Sequence, residues 1–306
     1  GEANLYRKPL MFICMNLSRN KALVIFPLLF LFFHSSAQKN RSLFSLLNQS
    51  QSGITFTNTV TDTEDFNALS HPNHWNGGGV AIGDINNDGL QDIYFSGNEV
   101  GNKLYLNKGD LEFQDITTSA GVEALAGWNT GVSMADVNAD GWLDIYVCRS
   151  GLNNAPPESL SNLLFINNGD ITFSEKAAAY GLDDKGLSIH ASFFDYDRDG
   201  LLDVFIINNN HVFEFGLNLS KTGNEAVGFN RLYHNEGNNK FKDVTTAAGI
   251  ISKDALSLGI VCADINLDGW SDIYVANDMK EPDYLFINNG NGTFTETGKT
   301  AFKHFC

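Results

Sequence analysis

The sequence predicts an all-β fold, a β-propeller built of four-stranded blades, on three observations. A nine-residue Asp-rich loop occurs four times, beginning at Asp84, Asp136, Asp195 and Asp264. Each copy sits between short β-branched and aromatic runs that read as buried strands. The segments following each copy recur as well, which gives four short strands in a unit of roughly 50–70 residues, the arithmetic of a propeller blade.

The N-terminus is predicted to be a leader. Met15 precedes basic Arg19 and Lys21, an apolar stretch from Ala22 to Phe33, and Ser35-Ser36-Ala37, which together match a secretory signal pattern. Residues 1–14 read as an upstream remnant with Met11 as an alternative start, 15–37 as the signal peptide, 38–52 as a linker, and 53–306 as propeller repeats. The apolar stretch is interrupted by Pro27 and is too short to span a bilayer, which takes about 20 residues. No cysteine stands at the cleavage point, so a lipid anchor is not expected. The expected location is outside the cell, secreted or at the surface, or periplasmic if retained.

The chain has 306 residues and a net charge of −16. Cleavage after Ala37 removes four basic residues and one acidic one, leaving −19. Nucleic acid and anionic membranes are therefore not expected as partners. Cys148, Cys262 and Cys306 remain after cleavage, in distant repeats, and are no disulfide framework.

The loops are predicted to be calcium cages. Their ligand positions one, three, five, seven and nine are Asp84, Asn86, Asp88, Leu90 and Asp92; Asp136, Asn138, Asp140, Trp142 and Asp144; Asp195, Asp197, Asp199, Leu201 and Asp203; and Asp264, Asn266, Asp268, Trp270 and Asp272. Side-chain oxygens with a main-chain carbonyl at seven suit a hard cation that takes six to eight oxygen ligands. Position six is always Gly, for the sharp turn. An EF-hand is excluded, because position twelve would be a bidentate Glu and is instead Phe95, Val147, Ile206 or Val275. About four Ca2+ ions are expected. Calcium in such a loop more often staples a turn than performs chemistry, and the 13 carboxylates in these loops would repel one another without it.

After each cage strand comes a second strand with an Asn/Gly turn: Lys103 to Gly109, Asn162 to Gly169, Arg231 to Gly237 and Tyr284 to Gly290. A third follows at Phe113, Phe173, Phe241 and Phe294, then Ala-Gly-Val122, Tyr-Gly-Leu182 or Ala-Gly-Ile250. The strands entering the cages carry small residues, as a crowded innermost position requires. Ile54–Asn58 is predicted to be an orphan outermost strand ahead of the first unit. The segment from His211 to Asn230 lengthens the third unit and is a candidate binding loop.

The cages, with Gly-Val-Ala-Ile-Gly83 ahead and Ile93-Tyr94 behind, resemble the FG-GAP/VCBS repeats of integrin-α-type propellers. Asn76-Gly-Gly-Gly79 and the Phe-x-Asp phrases resemble the branch that includes cartilage acidic protein and proteins ending in an ASPIC/UnbV domain. The resemblance covers about Gly53 to Glu296. It implies an extracellular calcium-binding propeller used for adhesion or ligand binding, usually of seven blades. Four complete blades are read here, so the expectation is a fragment whose further blades are its partners; a compact ring of four is the rival.

No G-x-S-x-G, H-E-x-x-H, P-loop or paired-cysteine motif occurs. His71 and His74 are the best transition-metal candidates but lack a third ligand nearby, and a polar loop is the plainer reading. Trp75, Trp128, Trp142 and Trp270 read as packing rather than sugar platforms. Asn48, Asn218 and Asn291 are glycosylation sequons. The expected role is a binding or adhesion module for an extracellular protein or glycan; the alternative is the propeller portion of an exported enzyme acting on polysaccharide or a similar substrate.

Overall fold

The computed structural model describes residues 44–64, 67, 74, 76–124, 127–150, 159–209, 229–252, 256–278 and 282–301. The chain divides into residues 1–46 and 47–306, and of the first only the exposed residues 44–46 are described. The expected leader and upstream remnant, His71, Trp75, Cys306 and residues 210–228 of the lengthened third unit lie outside the described residues.

Residues 47–306 contain four antiparallel four-stranded sheets, each made of strands consecutive in sequence. The first blade is β1 (Val80–Gly83), β2 (Asp92–Phe95), β3 (Lys103–Asn107) and β4 (Phe113–Asp115). The second is β5 (Asn129–Ala135), β6 (Asp144–Arg149), β7 (Leu163–Asn167) and β8 (Phe173–Glu175). The third is β9 (Ser188–Phe194), β10 (Asp203–Asn208), β11 (Arg231–Asn235) and β12 (Phe241–Asp243). The fourth is β13 (Ser257–Ala263), β14 (Asp272–Asn277), β15 (Tyr284–Asn288) and β16 (Phe294–Glu296). The fold is a stretch of β-propeller.

Three apolar layers hold the blades face to face. Tyr94, Leu104 and Leu106 pack on Val132, Ile145, Val147 and Phe165. Tyr146, Leu164 and Leu182 pack on Val204, Ile206 and Tyr233. Phe205, Ile207 and Leu232 pack on Ile273, Val275 and Phe286. The central strands are buried on both faces, β6 and β10 along their whole length, which is why their sequences run apolar without alternation. Each fully buried aliphatic side chain contributes about 2 kcal/mol.

The inner strands pack in order, β1 on β5, β5 on β9 and β9 on β13. The two terminal ones are exposed: Val80 and Ile82 on β1 are 55% and 61% accessible, and Val261 on β13 is 54%. That is the surface of an open succession of blades, not of the four-membered ring.

Two features depart from the expectation. Ile54–Asn58 forms no strand: its groups bond to side chains instead of a ladder. Thr55 N–H donates to the Tyr105 hydroxyl at 3.1 Å and Asn58 Nδ2 to Asn98 at 2.6 Å, while Phe56 stacks on Phe95 at 5.1 Å. Phe95 and Tyr105 lie on the face of the first blade turned away from the second, so the segment covers that face.

Single helical turns were not predicted at all: α1 (Gln49–Ser52), α2 (Thr117–Ala120), α3 (Ala177–Tyr180) and α4 (Gly298–Ala301). The first three end on a left-handed glycine, Gly53, Gly121 and Gly181, and the irregular turn at Thr245–Ala248 ends on Gly249 in the same way. These glycines face the carbonyl oxygens of Phe113, Phe173, Phe241 and Phe294, each in the fourth strand of the next blade. A Cβ at Gly181 would lie 2.8 Å from Phe241 O. Only glycine meets both the positive φ and that approach. By this match, α1 and Gly53, at the end of the predicted linker, hold the same place before the first blade.

Candidate metal centre

Each cage closes the hairpin between the first two strands of its blade. The last residue of the inner strand pairs with the position-nine aspartate: Gly83 with Asp92, Ala135 with Asp144, Phe194 with Asp203 and Ala263 with Asp272. Hairpin geometry thus fixes both ends of the loop.

Between those ends, all four loops fold in one way. The position-one carboxylate receives the N–H groups of positions five and six: Asp84 from Asp88 at 3.1 Å and Gly89 at 2.7 Å, Asp136 from Asp140 at 3.0 Å and Gly141 at 2.8 Å. Asp195 receives Asp199 and Gly200 at 3.2 and 3.0 Å, and Asp264 receives Asp268 and Gly269 at 3.0 and 2.8 Å. The position-three oxygen of Asn86, Asn138, Asp197 or Asn266 accepts from the same position-five N–H. Asp88, Asp140, Asp199 and Asp268 in turn accept from the N–H of Leu90, Trp142, Leu201 and Trp270. The predicted side-chain positions one, three and five are therefore drawn together in every loop. The Trp142 and Trp270 side chains pack on the hairpin glycines Gly169 and Gly290, and Arg198 of the third loop lies 4.4 Å over the Trp270 ring.

Position four of every loop has a left-handed backbone although none is glycine: Asn87, Ala139, Arg198 and Leu267, at φ of 57° to 63°. Asparagine tolerates this region and leucine does not. Leu267 is also 86% exposed. Leu267→Asn should therefore raise stability by about 0.5–1 kcal/mol, read as an increase in the urea midpoint at unchanged m-value.

The position-nine carboxylates are buried, and both oxygens of each are engaged. Asp92 accepts from Ile85 N–H at 3.0 Å and Asn107 N–H at 2.8 Å. Asp144 accepts from Val137 at 3.1 Å and Asn167 at 2.8 Å, Asp203 from Tyr196 at 3.2 Å and Asn235 at 2.8 Å, and Asp272 from Ile265 at 3.0 Å and Asn288 at 2.9 Å. Burial pushes the Asp144 carboxyl up to about 7 and that of Asp203 up to about 6, against the backbone donors, which favour the charged form. Neighbouring loop aspartates add to the rise.

A carboxyl raised in the folded state stabilises the fold below its unfolded pKa, and this contribution is lost as pH rises through the folded value. In chelator, stability should therefore fall between about pH 5 and 8, through the values of Asp203 and Asp144. A bound cation favours the ionised form and should reverse that slope. Melting curves at both pH values, with and without divalent cation, check it.

The hairpin asparagines tie the cages to one another, a role their turn position did not reveal. Asn167 Nδ2 donates to Ile85 O of the preceding blade's cage at 2.8 Å and to Leu143 O of its own at 3.2 Å. Asn235 spans Val137 O at 3.2 Å and Leu202 O at 3.1 Å, and Asn288 spans Tyr196 O at 2.8 Å and Ser271 O at 3.1 Å.

The third loop also has a histidine at its edge. His234 Nδ1 lies 3.1 Å from Asp203 Oδ1 and 3.5 Å from Asp197 Oδ2. Of the earlier histidine pair, His74 is buried, its Nε2 lies 2.7 Å from Asp62 Oδ1 and its ring stacks on Trp128 at 5.9 Å. Trp128 is itself 4% exposed, a packing residue.

An FG-GAP-like repeat family matches residues 84–147, 219–275 and 264–305, each match starting at or spanning a cage. The chain belongs to the FG-GAP repeat family. Among curated relatives of these repeats, cartilage acidic protein 1 of Xenopus tropicalis is 28% identical over 70% of this chain and 31% of its own length. The Mus musculus and Homo sapiens proteins of that name are 25% and 24% identical over 74% and 71% of this chain. The chain spans about a third of the length of these relatives. A solved structure, the Photorhabdus luminescens Tc holotoxin pore, aligns with 71% of this chain and 9% of its own at 14% identity and TM-score 0.32, too slight a likeness to carry argument. FG-GAP repeats suggest an extracellular module of binding or adhesion type. Among the described residues, no helix is long and apolar enough to cross a membrane.

Do the cage residues fit a cation? In the third loop one carboxylate oxygen each of Asp195, Asp197 and Asp199 lies within 4.8 Å of the others. The first, second and fourth loops repeat that fold with oxygen donors only. A convergent oxygen set of this kind suits Ca2+.

Proposed function

We propose that this FG-GAP stretch is the calcium-stapled scaffold of an extracellular binding or adhesion module, without catalytic activity of its own. The ligands are the side chains at loop positions one, three, five and nine with the main chain at seven, and the cation's role is structural. It neutralises the crowded carboxylates and sets the angle between the first two strands of each blade.

The observation that carries the reading is an asymmetry between the two ends of the blades. At the cage end, all four loops have the same length and the same hydrogen bonds from loop N–H groups to the side chains at positions one, three, five and nine. At the other end, the connections from the second to the third strand differ widely in length, occupying residues 96–102, 150–162, 209–230 and 278–283. A rigid end that carries variable loops at the opposite end is the arrangement of a recognition surface. An extracellular protein or glycan is the class of ligand it fits.

An array of matrix proteins and glycans, probed with the chain in Ca2+, tests this. Capture should be lost when residues 211–228 are replaced by a short Gly/Ser linker, with melting unchanged. Turnover of a captured glycan would overturn the non-catalytic reading, and capture indifferent to every connection at that end would overturn the assignment of the surface.

A further inference from the structure

We infer that the third loop, alone of the four, is a mixed nitrogen and oxygen site that takes a borderline transition cation, of the Zn2+ class, in preference to Ca2+, with His234 Nδ1 as a direct ligand. The inference rests on the reading of the loops as cation sites and adds a change of metal at one of them.

Strand register establishes the comparison. In β11, His234 pairs with Lys242, between the Tyr233 to Asp243 and Asn235 to Phe241 pairs. The residues holding that register in the other blades are Leu106, Ile166 and Ile287, all aliphatic. The third blade therefore replaces an apolar residue beside its cage with an imidazole. The same loop has Asp197 at position three, where the others have Asn86, Asn138 and Asn266. Two substitutions, one in the loop and one on β11, meet at one point.

The spacing there is that of ligands sharing an ion. Bonds of about 2.1 Å place neighbouring octahedral ligands ~3.0 Å apart, and tetrahedral bonds of about 2.0 Å place them ~3.3 Å apart. The Nδ1 separations are 3.1 Å from Asp203 and 3.5 Å from Asp197, and all three ligand atoms lie within 4.8 Å of one another. Asp197 also belongs to the convergent set with Asp195 and Asp199. The Tyr196 ring, 6.0 Å away and edge-on at 81°, holds the imidazole in place. Ca2+ selects oxygen donors, whereas an imidazole suits zinc and its neighbours.

The test is equilibrium dialysis of the whole chain against graded free Zn2+ in saturating Ca2+, with metal analysis and 15N NMR of the histidines. One equivalent of Zn2+ should be retained against the Ca2+ excess, with Ca2+ in the remaining loops and a metal-induced shift at one Nδ1. His234→Leu supplies the residue type of Leu106 and should fold. It and Asp197→Asn should each weaken Zn2+ retention by about tenfold or more and return the loop to Ca2+, with the NMR shift abolished in the leucine variant. Ca2+ in all four loops with no Zn2+ retained would overturn the inference and leave the calcium reading intact, making the 3.1 Å contact a plain hydrogen bond. Zn2+ retention unchanged in His234→Leu would also overturn it. Absence of Ca2+ from every loop would instead overturn the parent reading.

Discussion

Stripping divalent cations with EDTA should lower the melting temperature of the metal-loaded chain by roughly 20 °C or more. A site at 100-fold excess of ligand over Kd contributes about 2.7 kcal/mol, and a chain of this size shifts by about 2–4 °C per kcal/mol. Four cages acting together therefore outweigh any single core truncation, which costs about 2–5 kcal/mol. The reason is local. Each cage draws three or four carboxylates together, and each position-nine aspartate is buried with its two oxygens already committed to backbone donors. Calorimetry in chelator and in excess Ca2+ makes the comparison. Superimposable melts would remove calcium from the account altogether.

Asn235→Ala should destabilise the chain by about 3 kcal/mol and weaken cation binding at the second loop. Its side chain holds Val137 O, Leu202 O and Gly237 N–H at once, the last at 3.0 Å. Removing it leaves buried carbonyls without a donor, at about 1–3 kcal/mol each. Val137 stands at position two of the second cage, so the damage crosses from the third blade into the proposed metal site of its neighbour. Asn107→Ala is the control. Asn107 bonds within its own blade, to Gln91 O at 2.9 Å and from Gly109 N–H at 2.9 Å, and its loss should cost about half as much. Urea midpoints and calcium titrations of the two variants decide the matter; equal losses in both would show that the bond between blades contributes nothing of its own.

The strands and the recurring Asp-rich loops were legible in the sequence because each depends on residues adjacent along the chain. A period-two or unbroken apolar run defines a strand, and the Asp-x-Asn/Asp-x-Asp-Gly spacing defines the loop. What stayed hidden depends on contacts between units. The hairpin asparagines read as ordinary turn residues, and nothing along the chain says that Asn167 reaches Ile85, 82 residues away. Nothing along the chain singles out His234, and only strand register places it beside Asp197 and Asp203. Ile54–Asn58 alternates as a strand does, yet the side-chain hydroxyls of Ser52 and Tyr105 accept from its backbone N–H groups in place of a ladder. The helical turns were missed because four residues carry too little periodicity. For α2 and α3 the signal was the Ala-Gly or Tyr-Gly pair, whose glycine takes the left-handed backbone that ends the turn.

Those glycines also bear on how such a chain could be cut and rejoined. Gly53, Gly121, Gly181 and Gly249 close one sequence repeat but rest on the fourth strand of the following blade. The physical module is thus offset from the written one: it starts at the helical turn and ends on the fourth strand. A graft or deletion made at the cages would sever an Asp-rich loop and the hairpin it closes. One made just after the fourth strand would carry the glycine together with the phenylalanine carbonyl it covers, and would leave every blade already wearing its predecessor's cap.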